Sequence, residues 1–397
     1  MSFKFRVRKF MKLFKSLLVA PATLGLLAPM SVSANELNLA EVSGYSSSEE
    51  VQNISEFYPK ELAVTNSRVD GLEARLNNME AGSFSETTTA SFSADFMLGA
   101  VDDTPTADTG NTGEGSQSLM GAYSFQIDLN TSFTGDDSLD ISLDAGNAGT
   151  AGVAEFDGNG SGDGLLVDGV SYSFPVGDAT VMVGDNTDGS ALFTTACAYG
   201  GPSNTLDDCG NVNAAITNGG AMAGASYDFG NGFTAAVGYA GPEGGILTEE
   251  SDDAYGVNAA YTGENYGVSL TYGVLETGTE EDTFTAINGY YTPEGFPSIS
   301  VGYETGEDGS VTTSADGLES FFVGLTFDEV GPGSAGIAMG TKTPTVEDTD
   351  EQYMYEAYYS YPVNDGMTIT PLVFIKEVST AGADDETGVM VKTSFSF

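Results

Sequence analysis

Two cysteines, no histidine and 58 carboxylates set the chemistry open to this chain of 397 residues. Cys197 and Cys209 are the only thiols, and in an exported chain a single pair reads as a disulfide. The lack of histidine removes Ser-His triads, the usual imidazole metal sites and histidine pH switching together. Acid pairs are everywhere, so their proximity identifies no general acid or base. No enzyme and no cofactor are expected. One stretch, Asp157-Gly-Asn159-Gly-Ser161-Gly-Asp163 with Asp168 eleven positions after Asp157, has oxygen donors spaced like a calcium loop. No helical pattern flanks it, so the expectation is diffuse divalent binding at an acidic rim rather than a dedicated metal site.

The balance of charge narrows the partners. The chain carries 12 basic residues and a formal net charge of −46. Six of the twelve, Lys4, Arg6, Arg8, Lys9, Lys12 and Lys15, precede Ala34 in a stretch without acids. Loss of that stretch leaves six basic residues against 58 acidic ones. Nucleic acid is excluded, because phosphate contacts need Lys and Arg.

The elements that must position these residues fall into four parts. Residues 1–34 read as a secretory signal: basic residues, an apolar run from Leu17 to Ala28, then Val32-Ser33-Ala34 for cleavage. Translation from Met11 keeps the same pattern. The apolar run is too short, and too broken by Pro21, to span a bilayer. No later stretch reaches eighteen apolar residues, so the exported chain enters a membrane only as strands. Residues 35–60 form a short polar, periplasmic segment. Residues 61–82 read as a coiled-coil helix, with Leu62, Val69, Leu72, Leu76 and Met79 at a and d positions and Thr65 at the weak d. The seam does not fix the number of strands in the coil; beside a barrel it would reinforce a trimer.

From residue 83 to 397 the period changes to two. We read sixteen strands, beginning near Thr89, Leu119, Ser138, Leu165, Ala179, Ala221, Gly232, Ala254, Tyr266, Thr283, Pro297, Glu319, Ser334, Tyr353, Met367 and Thr387. Apolar residues hold one parity. The other carries small or polar ones, and on it Asp128, Asp140, Asp144 and Glu356 are the pore-lining candidates. Connections alternate between short Gly, Asn, Asp and Pro turns and long acidic loops, which a sandwich does not require. Aromatics from Tyr172 and Phe174 to Tyr290, Tyr291, Tyr359 and Tyr361 gather beside the short turns, as an interfacial girdle does. The closing stretch alternates Val389, Val391, Thr393, Phe395 and Phe397 against Met390, Lys392, Ser394 and Ser396. The expectation is all-β: a transmembrane antiparallel barrel of about 16 strands, preceded by a short coiled-coil helix.

Particular motifs carry a resemblance. The helix V-D-G-L-E-A-R-L-N-N-M-E (69–80), the stretch S-F-S-E-T-T-T-A-S-F-S-A (83–94) and the loop C-A-Y-G-G-P-S-N-T-L-D-D-C-G-N (197–211) resemble cyanobacterial outer-membrane porins. That family carries an S-layer-homology domain, is related to carbohydrate-selective porins and includes proteins described as iron-uptake porins. Here the domain is reduced to a stub at Ser55-Glu-Phe-Tyr-Pro-Lys60, too short to imply cell-wall binding. The resemblance implies that loop 186–219 folds inward as a constriction loop. It also implies an outer-membrane location among lipid and passive diffusion of small hydrophilic solutes, with iron among them; the acidic lumen parity and a barrel region without Arg point to inorganic cations. Carbohydrate is the alternative solute. Two other classes stand beside it: a structural outer-membrane tether and a secreted soluble β-rich binding protein.

Overall fold

The structure is a computed structural model that describes residues 87–102, 118–149, 152–217, 219–248, 251–278, 280–307, 309, 317–346, 350–378 and 385–397. The secretory signal, the stub and the coiled-coil helix expected over 1–82 lie outside the described residues.

Strand follows strand in chain order: β1 (Thr88–Asp102), β2 (Met120–Thr131), β3 (Ser138–Gly146), β4 (Leu166–Val176), β5 (Ala179–Asp185), β6 (Ala221–Gly230), β7 (Phe233–Gly241) and β8 (Ala254–Thr262). Then come β9 (Tyr266–Thr277), β10 (Glu280–Tyr291), β11 (Ser298–Glu307), β12 (Gly317–Val330), β13 (Gly333–Thr341), β14 (Thr345–Val346), β15 (Tyr353–Asn364), β16 (Met367–Lys376) and β17 (Glu386–Ser396). The two-residue β14 is an appendage that pairs with β12 above the barrel strands. The other sixteen each pair antiparallel with their chain neighbours, β13 reaching directly to β15.

Closure lies between the last strand and the first. β17 pairs with β1 from Ser93↔Ser396 to Asp102↔Thr387, and β1 also pairs with β2. Phe397 exchanges both main-chain hydrogen bonds with Phe92, at 2.9 and 3.0 Å. Their rings stack with centroids 5.7 Å apart. The closed ladder leaves no open edge.

Alternation decides the faces. Directly opposed residues share a face of the sheet, so one fixed residue orients the whole wall. Outward stand Val237, Val257, Leu270, Ile287, Val301 and Ile337, all exposed. On the same face, rings cluster at the short-turn end, with Phe233–Tyr261 at 4.7 Å and Tyr261–Tyr266 at 5.3 Å. Tyr290 departs from that girdle: it turns inward over Gly267, whose missing Cβ gives it room.

A second ring, not expected from the sequence, stands at the long-loop end: Tyr239, Tyr255, Tyr272, Tyr303, Phe321, Tyr353 and Tyr355. The phenol of Tyr239 donates to Asp253 at 2.8 Å and that of Tyr303 to Glu319 at 2.8 Å. On β7, β8, β9 and β15 the two rings are six residues apart, roughly 20 Å along a strand. At the strand tilt of about 40° usual in outer-membrane barrels this is about 15 Å of height between ring positions, within the apolar band of about 25 Å that such barrels present.

One connection departs from the expected alternation. β9 and β10 keep pairing up to Glu280↔Thr277, so this connection at the long-loop end is a tight turn. Gly278, at φ +65°, supplies the left-handed residue such a hairpin needs.

Candidate functional site

The segment 186–220 between β5 and β6 does not stay at the mouth. It runs inside the barrel against the wall. The Thr194 N–H donates to Asn258 Oδ1 at 2.9 Å, and Asn258 Nδ2 donates back to the Thr194 carbonyl at 3.1 Å. Ala196 N–H then meets Ser269 Oγ at 2.9 Å and Ala198 N–H meets Ser300 Oγ at 2.8 Å. On the return limb, Asn288 Nδ2 donates to the Cys209 carbonyl at 2.8 Å. Glu304 accepts the main-chain N–H groups of Asn213 and Ala214, both at 2.8 Å. Cys197 and Cys209 are joined by a disulfide, Cα atoms 6.5 Å apart, which ties the two limbs together.

Glycines in the wall make room for this loop. A Cβ on Gly302 would overlap the Cys209 carbonyl oxygen, and one on Gly238 the Gly189 carbonyl oxygen. Gly238, Gly256 and Gly273 stand directly opposite one another on β7, β8 and β9. They form a row without side chains along which backbone lies on backbone.

A second loop, between β3 and β4, also turns inward. Its single-turn 3-10 helix, Ala154–Phe156, buries Val153 and Phe156 against Met97, Tyr199, Leu206, Met354, Phe374 and Met390. The half of the lumen under β12, β13, β15, β16, β17 and β1 is therefore packed like a core. Inward aromatics Phe322, Tyr358 and Phe374 lie under these loops and are buried.

Glu356 must be corrected on this ground. It points inward as its parity requires, but it is 5% exposed, and Tyr199 of the inward 186–220 loop donates its phenolic hydrogen to Glu356 Oε1 at 2.6 Å. It anchors the loop and does not line open space. Parity reports a face; it does not report what covers it.

The opposite half stays open and acidic. Asn258 faces inward, and the register carries that face through Gly238, Gly224, Met182, Ser173 and Ser138, neighbour by neighbour. Asp140, Asp144 and Asp128 share it. Asp128 accepts Ser142 Oγ at 2.7 Å and Gln126 Nε2 at 2.8 Å; Asp140 accepts Ser138 Oγ at 2.8 Å. Beside them is a cavity of about 300 Å3 lined by Asp140, Ser142, Asp168, Gly169, Ser171, Asn186, Thr187 and Asp188. Parity did not predict Asp168 and Asp188, because the first sits at a β-bulge and the second on the loop.

The loop adds more carboxylates on its own side. Enclosure in the barrel raises Asp207 to about 7, with Asp208 and Asp157 adding repulsion. Enclosure raises Asp208 to about 6, with Glu304, Asp157 and Asp188 adding repulsion. Asp188 is raised by the same enclosure and then by Asp168. The three lysines of the barrel are occupied elsewhere. Lys376 pairs with Glu155, Lys392 lies 5.5 Å from the Phe156 ring centroid, and Lys342 donates to the Glu377 carbonyl at 3.3 Å.

The calcium-like stretch does not converge. Asn159 donates to the Phe125 carbonyl, Ser161 Oγ donates to the Gly164 carbonyl, and Asp163 accepts the Tyr123 phenol. Asp157 caps the 3-10 turn in a left-handed conformation, and Asp168 belongs to the acidic wall. Among the described residues no three His, Cys, Asp or Glu side chains group as a metal-ligand set.

Comparison with known proteins gives the architecture a name. OprB of Pseudomonas putida superposes with a TM-score of 0.58 at 11% identity, over 78% of this chain and 94% of its own. An anion-selective porin from Comamonas acidovorans gives 0.55 at 15%, over 78% and 99%. A mutant of Rh. blastica porin gives 0.52 at 13%, over 78% and 100%. The barrel has the porin fold. No family model matches the sequence. An uncharacterized Nostoc sp. protein is 33% identical over 149 residues, which is 34% of this chain and 25% of the relative. The match thus spans a quarter of that relative's length.

Proposed function

We propose that the chain is an outer-membrane diffusion channel for small hydrophilic solutes, selective for inorganic cations. One observation carries the reading: carboxylates line both sides of the remaining passage, and each lysine of the barrel is engaged elsewhere. Asp128, Asp140, Asp144 and Asp168 stand on the wall, Asp188, Asp207 and Asp208 on the loop. A porin fold accommodates either sign of selectivity, since one structural neighbour is anion-selective. The sign must therefore come from this chain's own side chains. An anion path needs a basic ring at its narrowest part, and no Arg occurs after Arg75.

The finer assignments belong to the same proposal. Residues 1–34 direct export, the coil over 61–82 reinforces a homotrimer, and the motif resemblance favours a cyanobacterial porin that passes iron among other cations. Reversal potential across a planar bilayer under a salt gradient tests the selectivity. At about 0.1 M salt, screening reaches only about 10 Å, so a narrow acidic passage still acts on ions. The expected sign is cationic; an anionic or zero selectivity overturns the reading.

A further inference from the structure

The loop between β3 and β4 makes a contact that a diffusion channel does not require. Its single turn places Glu155 at the junction of three elements. One carboxylate oxygen pairs with Lys376 on β16. The other accepts the Thr205 N–H at 3.0 Å, and the Glu155 main-chain carbonyl accepts the Asn204 N–H at 3.0 Å. Both donors belong to the constriction loop. The next residue, Phe156, is 1% exposed and carries Lys392 over its ring. Two of the barrel's three lysines thus hold one turn of one loop. We propose that Glu155 and Lys376 are positioning residues: together they latch both inward loops to β16 and so set the width of the passage. The inference rests on the channel reading.

Charge, and not packing alone, does the latching. Glu155 is 6% exposed and Lys376 15%. A carboxylate so covered is held only with a partner, and removal of one member leaves the other uncompensated. The Glu356 carboxylate lies near enough to repel Glu155. Without Lys376, Glu155 gains by moving toward water at the mouth, and it draws Asn204 and Thr205 with it. Neutralising both partners removes that drive. A latch therefore predicts that the second substitution repairs the first.

The test uses the full chain, in planar bilayers for conductance and in detergent for limited chymotrypsin cleavage at Phe156. Lys376→Met should raise conductance and open-channel noise and expose the Phe156 site. Lys376→Met with Glu155→Gln should return all three toward the parent, and Lys376→Arg should change none. Three results overturn the latch: conductance and cleavage unmoved in Lys376→Met, a shift in reversal potential alone, which makes Lys376 a pore charge, or additive effects in the double variant. Should Lys376→Met fail to form a heat-modifiable barrel, Glu155→Gln alone decides: the amide oxygen still accepts the Thr205 N–H but the ion pair with Lys376 is lost, so raised conductance and Phe156 cleavage support the latch and parental values overturn it. A parent without conductance sinks the channel reading, while cleavage still judges the latch.

Discussion

Asp207 and Asp208 carry the pH dependence. Their ordinary carboxylate range lies near 4, and inside the barrel they rise to about 7 and about 6. The folded state thus holds protons that the unfolded chain has released. The contribution of these two groups to stability therefore falls as pH rises from the ordinary range through those values. For conduction the sign is the reverse. As pH falls through about 7 and then about 6, the loop face loses charge and cation selectivity should decline. The double variant Asp207→Asn, Asp208→Asn should show lower selectivity at high pH and no step. Reversal potentials measured along a pH series check this; a step that survives in the variant refutes it.

Gly302 carries a second prediction at the same scale. Valine there would meet the Cys209 carbonyl, so the loop must leave its seat for the open half of the lumen. Overpacking of this kind costs about 1–3 kcal/mol. Conductance should fall while the barrel still forms; a parental conductance in Gly302→Val would show that the loop does not rest there. Nothing in the strand pattern marks this residue. A glycine at an inward position looks like any small wall residue until the backbone it touches is known.

Among the elements, the inward 186–220 loop is bound twice, by the disulfide and by its wall partners. Cys197→Ser with Cys209→Ser should leave the barrel intact, since barrel stability lies in the closed ladder. It should broaden the conductance distribution, because the two limbs then move apart. Mass spectrometry of protein from native membranes checks that the thiols are joined; free thiols there would remove the argument. The coil proposed over 61–82 is tested separately. Leu72→Asp with Leu76→Asp should lower the oligomer mass in mild detergent and spare the barrel; an unchanged mass counts against an oligomerising coil.

Elements were the most legible level of this chain. All sixteen barrel strands begin within three residues of their expected starts, and the reason is physical. An apolar outer face and a polar or small inner face impose a two-residue period along the whole perimeter of a closed barrel. At β10 the acidic Glu280–Asp282 precede the expected start at Thr283, yet Gly278 lets the hairpin extend through them. What remained hidden was the interior. Val153 and Phe156 look like stray apolar residues in a Gly-rich loop, and only their contact with Phe374 and Met390 shows that half of the lumen is core. For the same reason Asn258, Ser269 and Ser300 read as solvent-facing wall, while they hold the inward loop by hydrogen bonds.

For the whole molecule, the inward position of the 186–220 loop raises a question of assembly. Both its ends belong to adjacent strands and leave the wall at one mouth, as do those of the 147–165 loop. Neither segment has to be threaded through the ring or trapped before the seam at Phe92 and Phe397 closes. Each can swing over the rim afterwards, and out again, without breaking any ladder bond. Shell and filling are thus topologically separable, like a jar and its stopper. A cell could complete the jar first and fit the stopper later, and an unstoppered jar would already be a membrane protein, only a leakier one.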